Sequence, residues 1–264
     1  MTTSNLLQEV DTHGVATLTM NRPELHNAFD DQLIAAMTTQ LRALEADPQV
    51  RVVILAAAGK SFSAGADLNW MKRMAAYSES ENLRDARALA ELMRTLDGLA
   101  KPTIARLQGS AFAGGMGLVA CCDIAVAVIG AVFSLTEVRL GLTPAVISPY
   151  VVRAMGQRMA RRYFLTAERF SAQEALRMGL LHAVVPDAEL DKTVEAFVSD
   201  LLKGGPVSLA VTKDLVATVS REKLDSALIE HTATRIAKLR VSPEGQEGIG
   251  SFLDKRAPKW STGS

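Results

Sequence analysis

A strand followed by a helix recurs three times in the first half of the chain, and this repeat constrains the fold more than any other feature. The run Val52–Ala57 is continuously apolar, as is typical of a strand covered on both faces. The runs Val15–Met20 and Thr103–Leu107 also precede segments with apolar residues at helical spacing. Short strands that alternate with helices predict an α/β core in which helices cover a sheet.

The elements around this core follow from the same periodicities. Leu6–Val10 is expected to pair with Val15–Met20 as a hairpin, and the polar segment 77–82 is expected to form a mobile loop. After residue 150 the pattern is almost entirely helical. The chain is therefore predicted to divide into a core over residues 1–200 and a helical C-terminal region over residues 201–264.

The composition excludes several classes of protein. Lys+Arg and Asp+Glu are equal at 29 each, so the chain has no net charge to attract nucleic acid or an anionic membrane surface. No apolar run approaches the ~18 residues of a membrane span. Cys121 and Cys122 are adjacent in an apolar stretch, which favours two buried thiols in a reducing compartment, and no metal-ligand spacing appears. We therefore expect a cytoplasmic protein without a metal, a nucleic-acid partner or a membrane partner.

The segment 61–68, SFSAGADL, joins a predicted buried strand to a short helix. Its small side chains would let a ligand approach the backbone, and the start of a helix leaves amide N–H groups without partners. A tight connection with Asp67 as the N-cap explains the same residues, and for this segment alone it is the simpler interpretation.

A second small-residue turn, 109–117 or GSAFAGGMG, also leads from a strand into a helix. Two such turns in one α/β core are more informative than either alone, because an oxyanion hole needs two donors from separate segments that converge on one oxygen. Neither turn contains the Gly-Lys-Ser/Thr of a phosphate loop or the GxGxxG spacing of a dinucleotide site.

One carboxylate, Glu137, follows these turns in an otherwise apolar segment that includes Phe133, Leu135 and Val138. A carboxylate among apolar residues should have a raised pKa, which suits proton transfer near neutral pH. The alternative is a surface glutamate on an exposed strand edge, paired with Arg139. The spacing alone does not decide between these two interpretations.

Four segments, NRPELHNAF, SFSAGADL, GSAFAGGMGLVACCDIAVA and FSLTEVRLGLTPAVIS, occur in an order that resembles the crotonase (enoyl-CoA hydratase/isomerase) superfamily. The similarity covers essentially the whole chain and includes the terminal SFLDKRAPKW. The resemblance implies an α/β, ClpP-like spiral core of repeated strand–strand–helix units. It also implies a C-terminal helical region that builds trimers, so we expect a homotrimer or a homohexamer formed as a dimer of trimers.

The same resemblance implies an acyl-CoA substrate whose thioester oxygen is held by backbone N–H groups, and these fall on Ala66 and Gly114. Glu137 falls on one catalytic acid of the family. No separate cofactor is implied, because coenzyme A is part of the substrate. The residues expected to contact the substrate are Ser63, Ala64, Asp67, Leu68, Gly117, Lys72, Arg73 and Lys255.

The sequence departs from the family at Gly117, where hydratases with two glutamates carry the other acid. Glycine cannot move a proton, so the departure puts the two-acid mechanism in doubt but leaves the thioester site intact. Three alternatives remain open. Glu137 alone could both activate water and return a proton, another group could replace the missing acid, or the reaction could need no water, as in the family's enoyl-CoA isomerases.

A finer resemblance favours hydration. ADLNWMKRM and EVRLGLTPAVISPYVVRAMG are similar to bacterial 3-methylglutaconyl-CoA hydratases of leucine degradation and to isohexenylglutaconyl-CoA hydratases of acyclic terpene degradation. The first subgroup implies conversion of 3-methylglutaconyl-CoA into 3-hydroxy-3-methylglutaryl-CoA. The alternatives are hydration of isohexenylglutaconyl-CoA and Δ3,Δ2-enoyl-CoA isomerisation by Glu137. Both hydratase substrates carry a distal carboxylate, for which Lys72 and Arg73 are candidate partners, a solvated basic turn being the alternative.

Overall fold

The computed structural model describes residues 4–261, and in this range the chain forms nine β-strands and ten α-helices. The strands are β1 (Leu6–Val10), β2 (Val15–Met20), β3 (Val52–Ala57), β4 (Thr103–Leu107), β5 (Ala111–Phe112), β6 (Ile124–Val128), β7 (Val132–Ser134), β8 (Phe170–Ser171) and β9 (Ala183–Val185). The helices are α1 (Asp31–Ala46), α2 (Leu68–Met74), α3 (Glu79–Asp97), α4 (Gly114–Cys121), α5 (Ser148–Thr166), α6 (Ala172–Arg177), α7 (Leu190–Leu202), α8 (Pro206–Val219), α9 (Ser226–Val241) and α10 (Pro243–Leu253).

The strands form two sheets that confirm the predicted α/β class. The larger sheet has the order β1-β2-β3-β4-β6-β9; β1 and β2 form the predicted antiparallel hairpin, and every other pair is parallel. The smaller sheet has the order β5-β7-β8, in which β5 and β7 are parallel. Because β3 and β4 are parallel neighbours, the turns that follow them leave the same edge of the larger sheet.

The core forms where the sequence pattern is strongest. All six residues of β3 are buried, as its continuous apolar run predicts. Helix α1 buries one apolar stripe, and each large aliphatic side chain in it contributes about 1.5–3 kcal/mol relative to exposure. The Asp30 carboxylate accepts the N–H of Leu33 and so fixes the start of this helix. The stripe consists of the residues that predicted the helix, Leu33, Ile34, Met37, Leu41 and Leu44.

The prediction of a mobile loop over 77–82 is wrong. Helix α3 begins within this segment, because Ser78 and Glu81 form a capping box. The Ser78 side chain accepts the N–H of Glu81, and the Glu81 carboxylate accepts the N–H of Ser78 at 2.8 Å. This reciprocal pair satisfies two amide groups that the first turn of a helix otherwise leaves free, so a polar segment without apolar periodicity is helical.

The C-terminal part of the chain is helical, as predicted. Helix α7 packs on β3, β4 and β6, whereas α8, α9 and α10 pack on one another. Residue 200 lies within α7, and the division at 200 stays a prediction. No helix within residues 4–261 is long and apolar enough to cross a membrane. Several large apolar side chains of the last three helices are exposed: Val207, Val216, Val219, Ile229, Ile236, Val241, Ile249, Phe252 and Leu253.

Candidate active site

The two small-residue turns lie in direct backbone contact. Ser63 and Ala111 form a parallel bridge between the turn after β3 and the turn after β4. The N–H of Ser63 donates to the carbonyl of Ser110 at 3.2 Å, and the N–H of Phe112 donates to the carbonyl of Ser63 at 2.9 Å. The prediction that two separate segments meet at one place is therefore confirmed for the backbone.

Phe29 holds the first turn from its other side. Its N–H donates to the carbonyl of Gly65 at 2.8 Å, and its carbonyl accepts the N–H of Asp67 at 3.0 Å. Ala66 lies between these two bonds, in a bridge with Phe29. Among residues 4–261 the N–H of Ala66 has no acceptor, so this donor is free to bind another group.

Three glycines allow the turns to approach this closely. Gly65 has φ 88°, and a Cβ there would lie 3.1 Å from the Cβ of Ala113. A Cβ on Gly115 would lie 2.8 Å from that of Ser63, and one on Gly114 would lie 2.4 Å from Cζ of Phe29. Real Cβ atoms do not tolerate the last two distances, so the contact between the turns requires glycine at 115, and the packing of Phe29 against the second turn requires glycine at 114.

The start of α4 carries the second free donor. Ala113, the N-cap, has φ 48° and ψ −122°, a conformation that costs a non-glycine residue about 1–3 kcal/mol. Its own N–H donates to the carbonyl of Ser134 at 3.0 Å. The next amide, that of Gly114, has no acceptor in the part of the chain that the structure describes. Strained backbone thus precedes an unpaired N–H at the contact between the turns.

Glu137 begins a short 3₁₀-helix, Glu137–Leu140, rather than lying on a strand edge. Strand β7 ends just before this helix. It pairs with β5 in the register Phe112↔Ser134, and this pairing brings the short helix to the side of the site where α4 starts. Burial raises the pKa of the Glu137 carboxyl, as predicted. Its buried Oε2 has no hydrogen-bond partner among the described residues, and Arg139 is exposed and is not paired with it. The alternative of a glutamate on an exposed strand edge is therefore wrong.

The space beside Gly117 is filled by apolar side chains. A Cβ on Gly117 would lie 2.3 Å from Cγ2 of Ile147 and 3.2 Å from Cε of Met93. Gly117 and Ile147 are both buried. A carboxylate at position 117 would have to displace Ile147, and neither side chain that occupies its space can transfer a proton. Replacement of the missing acid by another group elsewhere in the site stays a prediction.

Residues of the first turn shape the backbone. The Ser63 hydroxyl donates to the carbonyl of Asn27 at 2.9 Å and accepts the N–H of Gly65 at 3.2 Å. Asp67 is the N-cap of α2, and its Oδ1 accepts two N–H groups while its Oδ2 pairs with Arg22 at 3.0 Å. Burial raises the pKa of the Asp67 carboxyl, but these hydrogen bonds and the Arg22 charge outweigh burial and hold it below its ordinary value.

The remaining predicted contacts lie around the site. Ala64 and Leu68 are exposed on the first turn and at the start of α2. Lys72 is exposed near the end of α2, and Arg73 beside it pairs with Asp31. Lys255 is exposed after α10 with φ 54°. Contact of these residues, and of Ser63, Asp67 and Gly117, with a substrate stays a prediction.

Sequence reasoning missed Arg22, Ile147 and Met93. Arg22 lies 45 residues before its partner Asp67, and no local periodicity links the two. Ile147 and Met93 read as ordinary apolar residues, and only the fold places them against Gly117.

Comparisons with known proteins place the chain in a family. The sequence model of the enoyl-CoA hydratase/isomerase family matches residues 11–263. The chain belongs to the enoyl-CoA hydratase/isomerase family. The crystal structure of an enoyl-CoA hydratase from Shewanella pealeana superposes with a TM-score of 0.95 at 47% identity, over 97% of this chain and 96% of that one. This likeness confirms the predicted crotonase fold.

Two curated relatives are similar over almost their full lengths. The (E)-benzylidenesuccinyl-CoA hydratase of Thauera aromatica is 32% identical over 95% of this chain and 96% of its own. The crotonyl-CoA hydratase of Syntrophomonas wolfei is 31% identical over 97% of both chains. These relatives confirm the prediction of a hydratase-type enzyme, a hydro-lyase, and leave the acyl chain as a prediction.

Within residues 4–261, no three His, Cys, Asp or Glu side chains lie close enough together to hold a metal ion.

We expect Gly117→Ala to destabilise the fold by about 1–3 kcal/mol, because the new methyl group overlaps the buried Ile147 side chain. Gly130→Ala is the matched control, since nothing lies within 4 Å of a Cβ there, and it should change stability by less than about 0.5 kcal/mol. Urea unfolding measures both. In an Ile147→Ala background the Gly117→Ala penalty should shrink; equal effects of the two glycine substitutions would contradict the close contact.

Proposed function

We propose that the protein hydrates an α,β-unsaturated acyl-CoA. The observation that carries this proposal is the pair of amide N–H groups, at Ala66 and Gly114, which lie on turns in contact and have no acceptor among residues 4–261. A thioester oxygen that accepts both would gain about 3–4 kcal/mol from each donor as negative charge develops on it. Coenzyme A is part of this substrate, so the proposal includes no separate cofactor.

In this proposal Glu137 is the group that moves protons. The ionised carboxylate takes a proton from water, the resulting hydroxide adds to the β-carbon, and the thioester becomes an enolate held by the two amides. The protonated Glu137 then returns a proton to the α-carbon, so hydrogen and hydroxyl are both added and the ionised carboxylate is regenerated. A raised pKa supports both steps, because an acid that titrates closer to neutral pH gives and takes a proton with similar ease.

A second candidate function rests on the closed space at Gly117. A Δ3,Δ2-enoyl-CoA isomerase moves one proton from the α-carbon to the γ-carbon and needs no water, so a single acid suffices. The apolar contact of Gly117 with Ile147 is consistent with this reaction as well. We favour hydration, because the two curated relatives are hydratases.

Glu137→Gln should lower kcat for hydration by about 10²–10⁴-fold, because glutamine retains the shape of glutamate but cannot exchange the proton. Binding of a saturated acyl-CoA should persist, which calorimetry measures. Glu222→Gln is the control, since Glu222 is exposed and lies after α8.

The pH profile provides an independent check. Activity of the unmodified enzyme should fall with decreasing pH through a midpoint above the ordinary pKa of glutamate, because protonated Glu137 cannot take a proton from water. Normal turnover by Glu137→Gln would remove Glu137 from the mechanism.

We propose 3-methylglutaconyl-CoA, an intermediate of leucine degradation, as the substrate, with isohexenylglutaconyl-CoA as the alternative. Both carry a distal carboxylate, and one relative is named for an acyl-CoA of the same kind, a benzylidenesuccinyl thioester. Lys72 and Arg73 lie on α2, the helix that starts directly after the Ala66 turn. The pair between Arg73 and Asp31 is exposed to solvent and therefore weak, so a substrate carboxylate could replace Asp31.

A substrate panel tests the reaction and the acyl chain together. With 3-methylglutaconyl-CoA we expect rapid loss of enoyl absorbance, and with crotonyl-CoA a kcat/KM at least about tenfold lower, which corresponds to one lost charge contact. Lys72→Ala or Arg73→Ala should reduce this preference, whereas Lys192→Ala, an exposed cation of α7, should not. If the enzyme interconverts 3-enoyl and 2-enoyl thioesters and does not hydrate either of them, the isomerase alternative holds instead.

We also propose that the chain assembles as a homotrimer, or as a hexamer of two trimers, through α8, α9 and α10. Phe252 and Leu253 are 82% and 71% exposed, and a row of apolar side chains on these helices is exposed with them. The proposal places the protein in the cytoplasm, where its two free buried thiols would stay reduced.

Light scattering after gel filtration should give three or six times the 28.3 kDa chain mass. Phe252→Asp should shift the protein toward smaller species, because a carboxylate would enter an apolar interface. Leu165→Asp, at an exposed leucine on α5, is the control. A monomer at micromolar concentration would contradict the assembly.

A further inference from the structure

A buried arginine lies behind the Ala66 turn. The side chain of Arg22 is only 9% exposed, and its two terminal nitrogens reach three oxygens. Nη1 donates to the carbonyl of Ala28 at 2.8 Å and pairs with Asp30 at 3.0 Å. Nη2 pairs with Asp67 at 3.0 Å. A single planar cation therefore joins two carboxylates and a backbone carbonyl, as the fork of a guanidinium allows.

The partners of Arg22 flank the bridge that presents the free amide. Asp30 follows Phe29 and caps α1, and Asp67 follows Ala66 and caps α2. Phe29 and Ala66 are themselves bridge partners. The Arg22 guanidinium therefore holds Asp30 and Asp67, each of which directly follows one member of the bridge. It thereby fixes the spacing of the two backbone segments.

The backbone of Arg22 is held as firmly as its side chain. Its N–H donates to Oδ1 of Asn27 at 2.9 Å, and its carbonyl accepts the N–H of Asn27 at 2.9 Å. The Asn27 side chain amide donates to the carbonyls of Ala58 and Ser61, at the beginning of the turn that contains Ala66. Arg22 is thus anchored to that turn at two points.

We propose that Arg22 is a positioning residue that holds the Ala66 amide at the place where it donates to the thioester oxygen. This inference rests on the proposed function, because it assigns Arg22 a part in the oxyanion hole. Arg22 contacts no substrate atom in this scheme and acts through Asp67 and the Phe29 bridge. A small displacement of a catalytic donor lowers turnover by up to about 10²-fold, which makes the effect measurable.

Asp67→Asn is the sharpest variant. Asparagine caps a helix as well as aspartate does, so α2 should stay intact while the charge that faces Arg22 is lost. Arg22→Lys retains a cation but cannot reach three oxygens with a planar fork. Arg106→Lys is the control, because Arg106 pairs with Asp191 on the sheet and α7, outside the site.

Two readouts separate positioning from stability. One is kcat and KM for the substrate that the panel identifies. The other is the infrared stretch of butyryl-CoA labelled with carbon-13 at its thioester carbonyl, which moves to lower wavenumber when the oxygen accepts hydrogen bonds. We expect Asp67→Asn and Arg22→Lys to lower kcat about 10- to 100-fold with little change in KM, and to reduce the carbonyl shift. The pH midpoint assigned to Glu137 should stay in place, and Arg106→Lys should match the unmodified enzyme.

The proposal is overturned if folded Asp67→Asn retains both kcat and the full carbonyl shift, whatever its melting temperature. If Arg22→Lys fails to fold, Asp67→Asn alone decides. Absence of any carbonyl shift in the unmodified enzyme would instead contradict the oxyanion hole itself. The Glu137→Gln variant should lose turnover but retain the carbonyl shift. Loss of proton transfer by Glu137 is thereby distinguished from displacement of the Ala66 donor.

Discussion

The contact between two backbone turns is the constraint on which the rest of the site depends. Parallel neighbours β3 and β4 send their turns to one edge of the sheet, but direct contact requires that side chains be absent where the turns meet. Glycine at 115 removes the one that would overlap Ser63, glycine at 114 leaves room for the Phe29 ring, and the Ser63–Ala111 bridge then fixes the spacing. Two amides on these turns, those of Ala66 and Gly114, have no acceptor among residues 4–261.

In a site whose hydrogen-bond donors are backbone groups, few side-chain substitutions can remove a donor. The donors are amides, so their chemistry does not depend on residue type, only on local conformation. In the proposed mechanism Glu137 is the side chain that exchanges a proton, and burial rather than a neighbouring charge raises its pKa. The contact of Gly117 with Ile147 and Met93 keeps a second carboxylate out. In the proposed mechanism two rigid backbone donors stabilise the developing charge, and one carboxylate, Glu137, carries the proton.

The sequence predicted those parts that local pattern determines. The strand Val52–Ala57 and the stripe of α1 follow from periodicity, and the two turns follow from small residues at strand ends. The start of α3 carried a local signal, Ser78 followed three residues later by Glu81, but the absence of apolar residues concealed it. The Arg22–Asp67 pair and the Ile147 contact join residues far apart in sequence, so their existence depends on the fold and no single-sequence pattern contains it.

In the proposed mechanism the raised pKa of Glu137 links catalysis to stability. Between the ordinary pKa of glutamate and the raised value, the folded protein binds a proton that the unfolded chain has released, so the free energy of unfolding falls as pH rises through that window. Above it, the folded state retains an ionised carboxylate whose buried Oε2 has no hydrogen-bond partner among the described residues. The strained Ala113 backbone adds to the same cost. In the proposed site a thioester would accept from the Ala66 and Gly114 amides, which have no acceptor among residues 4–261. We therefore infer that binding stabilises the fold through the same amides that the reaction needs.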